Sequence, residues 1–198
     1  MRYADVISHE VVSGVHKFLI KIPNLNPKPG QFISIIFPNE MEIPLSVADY
    51  RNDILEIYVA SERIAKRISG HVIIKGPLGR EISLVGKVRA IVYGSYFYHI
   101  LYPLREAKRR GLDVKVYCIN CETQEFEKTD NLEQGDTILV SVPLELISKF
   151  NLPKDSLVHV SWVKMNCMLG VCGVCEIKGH LACVEGPVMR LSEVVDRG

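Results

Sequence analysis

The stretch Met165-Asn166-Cys167-Met168-Leu169-Gly170-Val171-Cys172-Gly173-Val174-Cys175 is followed, after seven residues, by Cys183-Val184-Glu185-Gly186-Pro187-Val188. Its four cysteines are spaced C-x4-C-x2-C-x7-C. A C-x4-C-x2-C run completed by a more distant cysteine is the plant-type ferredoxin spacing for a [2Fe–2S] cluster. Two irons and two sulfides need four thiolates converging on one small volume. The short spacings let one loop wrap that volume, and Gly170 and Gly173 allow the backbone to turn tightly beside it. Cys167, Cys172, Cys175 and Cys183 are therefore the expected metal ligands, and electron transfer is the leading function.

Competing readings use the same residues. A structural zinc site also takes four cysteines, but usually from two short knuckles far apart. Here three cysteines share one loop. A disulfide framework suits short secreted chains. His180 could replace a ligand, as in Rieske centres, but those place two histidines on one iron. No second histidine is near His180 in the sequence. Cys118-Ile119-Asn120-Cys121 is a lone C-x2-C and reads as a buried strand cysteine plus a loop cysteine.

The formal net charge of +1 gives no electrostatic case for nucleic acid. The basic run Arg105 to Arg110 reads as a solvated last helical turn. The first ten residues hold no apolar stretch of signal-peptide length. Val88 to Leu104 is interrupted by Arg89, His99 and Pro103, short of the roughly 20 apolar residues of a spanning helix. A cytoplasmic protein without a transmembrane segment is expected, where free thiols persist.

Working outward from the cysteines, residues 1–85 read as short strands broken by Gly and Pro, the pattern of a small antiparallel β-barrel. Pro29-Gly30 suits a type II turn, and Ser61 an N-cap. Residues 86–163 alternate strand and helix, which implies a small parallel α/β domain. The strands are Val88 to Tyr93, Val114 to Ile119, Ile138 to Val142 and Leu157 to Trp162. A helix from Tyr96 to Arg110 stops at Gly111. Residues 164–198 form the cysteine module and a short tail.

This order resembles the iron–sulfur electron-transfer subunits of two-subunit, NAD-linked dihydroorotate dehydrogenases, which are ferredoxin-reductase-like flavoproteins. The cysteine loop is similar to their M-x-C-G-x-G-x-C-x-x-C segment, with Met168 where a Gly is usual. Cys183 to Val188 is similar to their closing C-x-D-G-P-V/I segment. Pro29-Gly30-Gln31-Phe32 is similar to the P-G-Q-F start of a barrel strand. Pro44-Leu45-Ser46 resembles the R-P-x-S flavin segment, with Ile43 in place of the Arg that would pair with phosphate. Gly76-Pro77-Leu78-Gly79 resembles the G-P-L-G turn that faces FAD. The resemblance implies FAD binding by these two segments, with Leu45, Ser46 and the backbone of residues 59–61 along the isoalloxazine. Glu62 stands where the family has a Gly-Thr pair, and would repel a phosphate if it pointed inward.

The middle region departs most. With Pro103 as anchor, the glycine positions of the family's G-G-G-x-G-x-A-P segment carry Tyr96, Phe97, Tyr98, Ile100 and Tyr102. The family's Cys-Gly-Pro segment is replaced by Val158-His159-Val160-Ser161-Trp162. A degenerate nucleotide-binding domain is therefore expected, with NAD an unlikely cofactor. The resemblance implies a [2Fe–2S] electron-transfer subunit of pyrimidine biosynthesis, paired with an FMN-containing dihydroorotate dehydrogenase catalytic subunit. No acid/base or nucleophilic residue is assigned, since substrate chemistry would belong to that partner. The alternatives are a stand-alone NAD(P)H-dependent flavin/iron–sulfur reductase and a zinc-stabilised, non-catalytic accessory module.

Overall fold

A computed structural model describes residues 1–129 and 135–195; the last residues of the expected cysteine module, 196–198, lie outside the described residues. The first half folds into seven strands: β1 (Arg2–Val12), β2 (Val15–Lys21), β3 (Phe32–Phe37), β4 (Met41–Ser46), β5 (Asp49–Arg51), β6 (Ile54–Val59) and β7 (His71–Leu78). They form one antiparallel sheet in the order β4-β3-β7-β1-β2-β6-β5. Alternate side chains share a face along a strand. Phe18, Ile20, Ile33, Ile35, Leu55, Ile57 and Ile74 thus converge on one buried core. The ladder runs from β4 to β5.

The turn before β3 follows from its residues. Gln31 N–H donates to the Lys28 carbonyl at 3.0 Å, and Gly30 has φ +90°. Proline at the second position and positive φ at the third make a type II turn. A Cβ at Gly30 would also lie 2.9 Å from Ile82 Cγ2. Helix α1 (Glu62–Ala65) begins at Ser61, whose hydroxyl accepts from Ile64 N–H.

The second sheet contains β8 (Lys87–Tyr93), β9 (Asp113–Ile119), β10 (Glu127–Lys128), β11 (Thr137–Ser141) and β12 (Leu157–His159), all parallel where they pair. A two-stranded hairpin, β13 (Glu176–Ile177) and β14 (His180–Leu181), follows. Strand β15 (Val188–Arg190) then pairs antiparallel with β12 and completes the order β10-β9-β8-β11-β12-β15. Between β8 and β9 the chain runs through a 3-10 turn (Gly94–Ile100) into α2 (Leu101–Arg109). Pro103 sits in the first turn of α2, where its missing N–H has no partner to lose. Gly111, at φ +75°, ends the helix.

Four expectations need correction. The helix expected from Tyr96 is 3-10 as far as Ile100. The strand expected to reach Trp162 stops at His159, because Ser161 N–H turns back to the His159 carbonyl and Val163 N–H to that of Val160. Residues 188–190, read within the cysteine module and its short tail, are an edge strand of the second sheet. Arg105, in the run read as a solvated turn, is largely buried between Glu56 (2.9 Å) and Glu125 (2.7 Å) and fastens α2 to the first sheet. Among the described residues, no helix is long and apolar enough to cross a membrane.

Candidate redox site

The cysteine loop lies against the second sheet. Gly170 (φ +74°) and Gly173 (φ +71°) take the left-handed conformations expected of them. A Cβ on Gly170 would meet Val184 Cγ2 at 2.7 Å. Met168, where the resembling family has Gly, keeps the glycine-like backbone at φ +54°. Such a conformation costs a non-glycine residue about 1–2 kcal/mol. The Met168 side chain is buried at 1% exposure among Val160, Cys175 and Cys183, and this burial offsets the strain.

The four thiols differ in setting. Cys175 and Cys183 are buried, Cys167 is part-buried and Cys172 is exposed. They act on one another: Cys172 on Cys167, and both Cys175 and Cys167 on Cys183. The Cys167 sulfur accepts backbone N–H groups of Leu169, Cys172 and Val171, which pull its pKa down to about 6. Burial pushes Cys183 up to about 11, with its Cys175 bond adding to the effect. Among the described residues, no three His, Cys, Asp or Glu side chains form a site for a single metal ion. Lys75 on β7 donates to the Cys167 carbonyl at 3.1 Å and pairs with Glu42 at 2.6 Å, tying the loop to the first sheet. His180 is held instead by Glu185, at 2.9 Å.

A cavity of about 160 Å³ opens where the two sheets and the cysteine module meet. Pro44, Leu45 and Ser46 of β4 line it, together with Tyr58, His99 and His159. The structure therefore brings one expected flavin segment to a cavity. The other, Gly76, Pro77, Leu78 and Gly79, is outside its lining. Gly79 packs so closely on the cysteine module that a Cβ would lie 2.1 Å from the Gly186 carbonyl oxygen. Ile43 packs against the core of the first sheet. Glu62 is exposed and pairs with Lys66 at 2.7 Å, so it does not point inward. A roomier cleft of about 650 Å³, lined by Arg80, Asp136, Ser156 and Arg190, reaches Thr137 and Leu157, the amino ends of β11 and β12. Open α/β sheets bind ligands at the opposite, carboxyl ends, where His99 and His159 stand.

Sequence reasoning passed over those two histidines. His99 is in the 3-10 turn after β8, and His159 ends β12. Their rings stack with centroids 4.5 Å apart. The signal was present in the sequence: His159 replaces the family's Cys-Gly-Pro segment, and His99 falls within its glycine-rich one. The aromatic residues set on glycine positions are part of the packing between the sheets. Phe97 and Tyr102 are buried, Tyr102 donates to the Pro27 carbonyl, and Tyr98 stacks on Tyr58 at 3.9 Å.

Cys118 and Cys121, expected to stand apart, are joined as a disulfide. Asn120 takes a left-handed conformation at φ +53°. That turn brings the two Cα atoms to 5.5 Å, within bridging range.

No family model matches the chain. It is 24% identical to the probable dihydroorotate dehydrogenase B (NAD(+)) electron transfer subunit of Pyrococcus furiosus, over 94% of this chain and 89% of that protein. The like-named protein of Methanocaldococcus jannaschii is 23% identical, over 81% and 78%. The chain resembles these electron-transfer subunits. Among solved structures, an NADH-dependent reduced ferredoxin–NADP oxidoreductase matches with TM-score 0.78 and 20% identity, over 98% of this chain and 90% of that one. Phthalate dioxygenase reductase matches with TM-score 0.53 and 13% identity, over 75% and 62%. These likenesses establish a ferredoxin-reductase-like fold. The names of the electron-transfer subunits carry NAD(+), so the expectation that NAD is an unlikely cofactor finds no support in them.

Proposed function

We propose that this protein is the electron-transfer subunit of a two-subunit dihydroorotate dehydrogenase of pyrimidine biosynthesis. In this reading Cys167, Cys172, Cys175 and Cys183 hold a [2Fe–2S] cluster, and the cavity beside Pro44, Leu45 and Ser46 holds the ring of FAD. Electrons come from the FMN of a catalytic subunit and leave to a downstream acceptor. The cofactors carry the electrons, while the protein supplies position and potential.

The spacing of the four cysteines carries the reading. One mononuclear zinc needs four ligands around a single point. A C-x4-C-x2-C run with a more distant fourth cysteine suits two irons with two thiolates each. Iron and sulfide analysis of anaerobically purified protein, with a visible spectrum, tests this. Two irons and two sulfides per chain are expected. Stoichiometric zinc without iron would replace the cluster by the accessory-module alternative.

The partner reading draws on the surface of the same loop. Leu169 and Val171 are 63% and 83% exposed beside Cys172, and Val174 is also exposed. Apolar side chains clustered around an electron-transfer group suit a docking face. Co-expression with the FMN-containing catalytic subunit should give one complex on gel filtration. Val171→Lys should weaken that complex while leaving the iron content unchanged.

A further inference from the structure

The cavity beside Ser46 contains a feature that the flavin reading leaves unexplained. None of its lining residues carries a charged side chain, yet two histidines stand in its wall. His159 is buried at 7% exposure. Its Nε2 lies 3.2 Å from the Ser46 hydroxyl oxygen. Its Nδ1 is buried with no partner, and so is Nδ1 of His99. Tyr96 meets the His99 ring edge-on, and Tyr58 completes the wall. Ring stacking and aromatic edges, rather than carboxylates, surround the pair.

The partners of the two ring nitrogens serve to assign the His159 proton. Burial keeps both imidazoles neutral, drawing His99 down to about 4 and His159 well below its ordinary range. A neutral imidazole carries one N–H and one bare nitrogen. A buried N–H without an acceptor is the rarer defect. We assign the unpartnered Nδ1 as the bare nitrogen and Nε2–H as the donor to Ser46. With its lone pair engaged, the Ser46 hydroxyl is left with its own hydrogen to donate elsewhere, and Ser46 lines the cavity.

We propose that His159 is a positioning residue that holds the Ser46 hydroxyl as a hydrogen-bond donor toward an acceptor atom on the ring of the bound flavin. His99, stacked on His159, fixes the ring that sets this direction. The proposal rests on the reading of this cavity as a flavin site. A donor aimed at an electron-accepting ring binds the electron-rich, reduced form more strongly than the oxidised one. Its physical consequence is a higher flavin potential, and not merely tighter binding.

The test uses the full-length protein reconstituted with FAD. Its readouts are a spectroelectrochemical titration and FAD affinity measured by fluorescence. Ser46→Ala and His159→Phe should each lower the preference for reduced over oxidised FAD about tenfold, a fall of about 30 mV for a two-electron couple. His159→Gln, whose amide can still donate, should recover most of the loss. A purely structural role for His159 would weaken both redox forms alike and leave the potential unmoved. Ser46→Ala removes a single oxygen and keeps the test decisive should His159→Phe fail to fold. Bound FAD with an unchanged potential in Ser46→Ala overturns the proposal and leaves the flavin site standing. Wild-type protein that takes up no FAD overturns both.

Discussion

The seven-stranded sheet and the cysteine loop are built on opposite principles. Phe18, Ile20, Ile33, Ile35, Leu55 and Ile57 are fully buried in the sheet, each from a strand paired on both sides. The loop from Met165 to Cys175 has no helix or strand. It exposes Leu169, Val171 and Val174, and is pinned by Met168, Cys175 and Cys183 beneath and by Lys75 at its side. The sheet is held by redundant apolar burial. The loop depends on a few residues and, in the proposed function, on metal–thiolate bonds. Redundancy spreads the effect of any one substitution, whereas a loop with four special positions concentrates it.

That contrast is tested most severely at the cysteines. Substituting Cys167, Cys172, Cys175 or Cys183 by Ala should abolish bound iron and the visible colour. Cys118→Ala or Cys121→Ala should leave both intact, because those two are bonded to each other. Metal analysis with absorption spectroscopy gives the answer. Colour surviving in Cys183→Ala would remove the loop's special status.

Ile57→Ala probes the other side. Truncating a fully buried side chain of β6 should cost about 2–5 kcal/mol, read as a shift in the denaturant midpoint. Iron per folded molecule should stay the same. Loss of iron from the folded fraction would mean that the two regions are not energetically separate.

Acid acts where the regions meet. The folded protein resists protonating His99 until about pH 4, whereas an unfolded histidine protonates near 6.5. Between those values the unfolded chain binds the extra proton. Stability is therefore full above about pH 6.5 and falls as the pH drops toward 4, by up to about 3 kcal/mol. His159, shifted in the same direction, adds to the loss. A His99→Phe variant should show a shallower decline in chemical denaturation followed across this window. An unchanged slope would exclude His99 as the cause.

The smallest effect is expected at Met168. Met168→Gly relieves the left-handed backbone but removes a buried side chain. The loss of burial should win by about 1–3 kcal/mol, measured by thermal unfolding. A stabilised variant would show that the loop is limited by backbone strain instead.

How much of this was legible in the sequence varies by region. The type II turn at Pro29-Gly30, the Ser61 cap and the helix stop at Gly111 were all readable, because each depends on residues close in the chain. The glycine turns of the cysteine loop were readable for the same reason. The disulfide between Cys118 and Cys121 was passed over, although local spacing allowed it. Its formation depends on the left-handed turn at Asn120, one of several backbones open to that residue.

The sequence by itself determined the order of elements and the identity of the four clustered thiols. Period-two apolar runs, turn residues and cysteine spacing are local properties of the chain. Only the tertiary structure decided that Val188–Arg190 pairs with β12 and that Arg105 is buried between Glu56 and Glu125. It alone placed Ser46 beside His159, 113 positions away along the chain. Such contacts are set by how sheets and loops pack to exclude water, and no short window of residues encodes that arrangement.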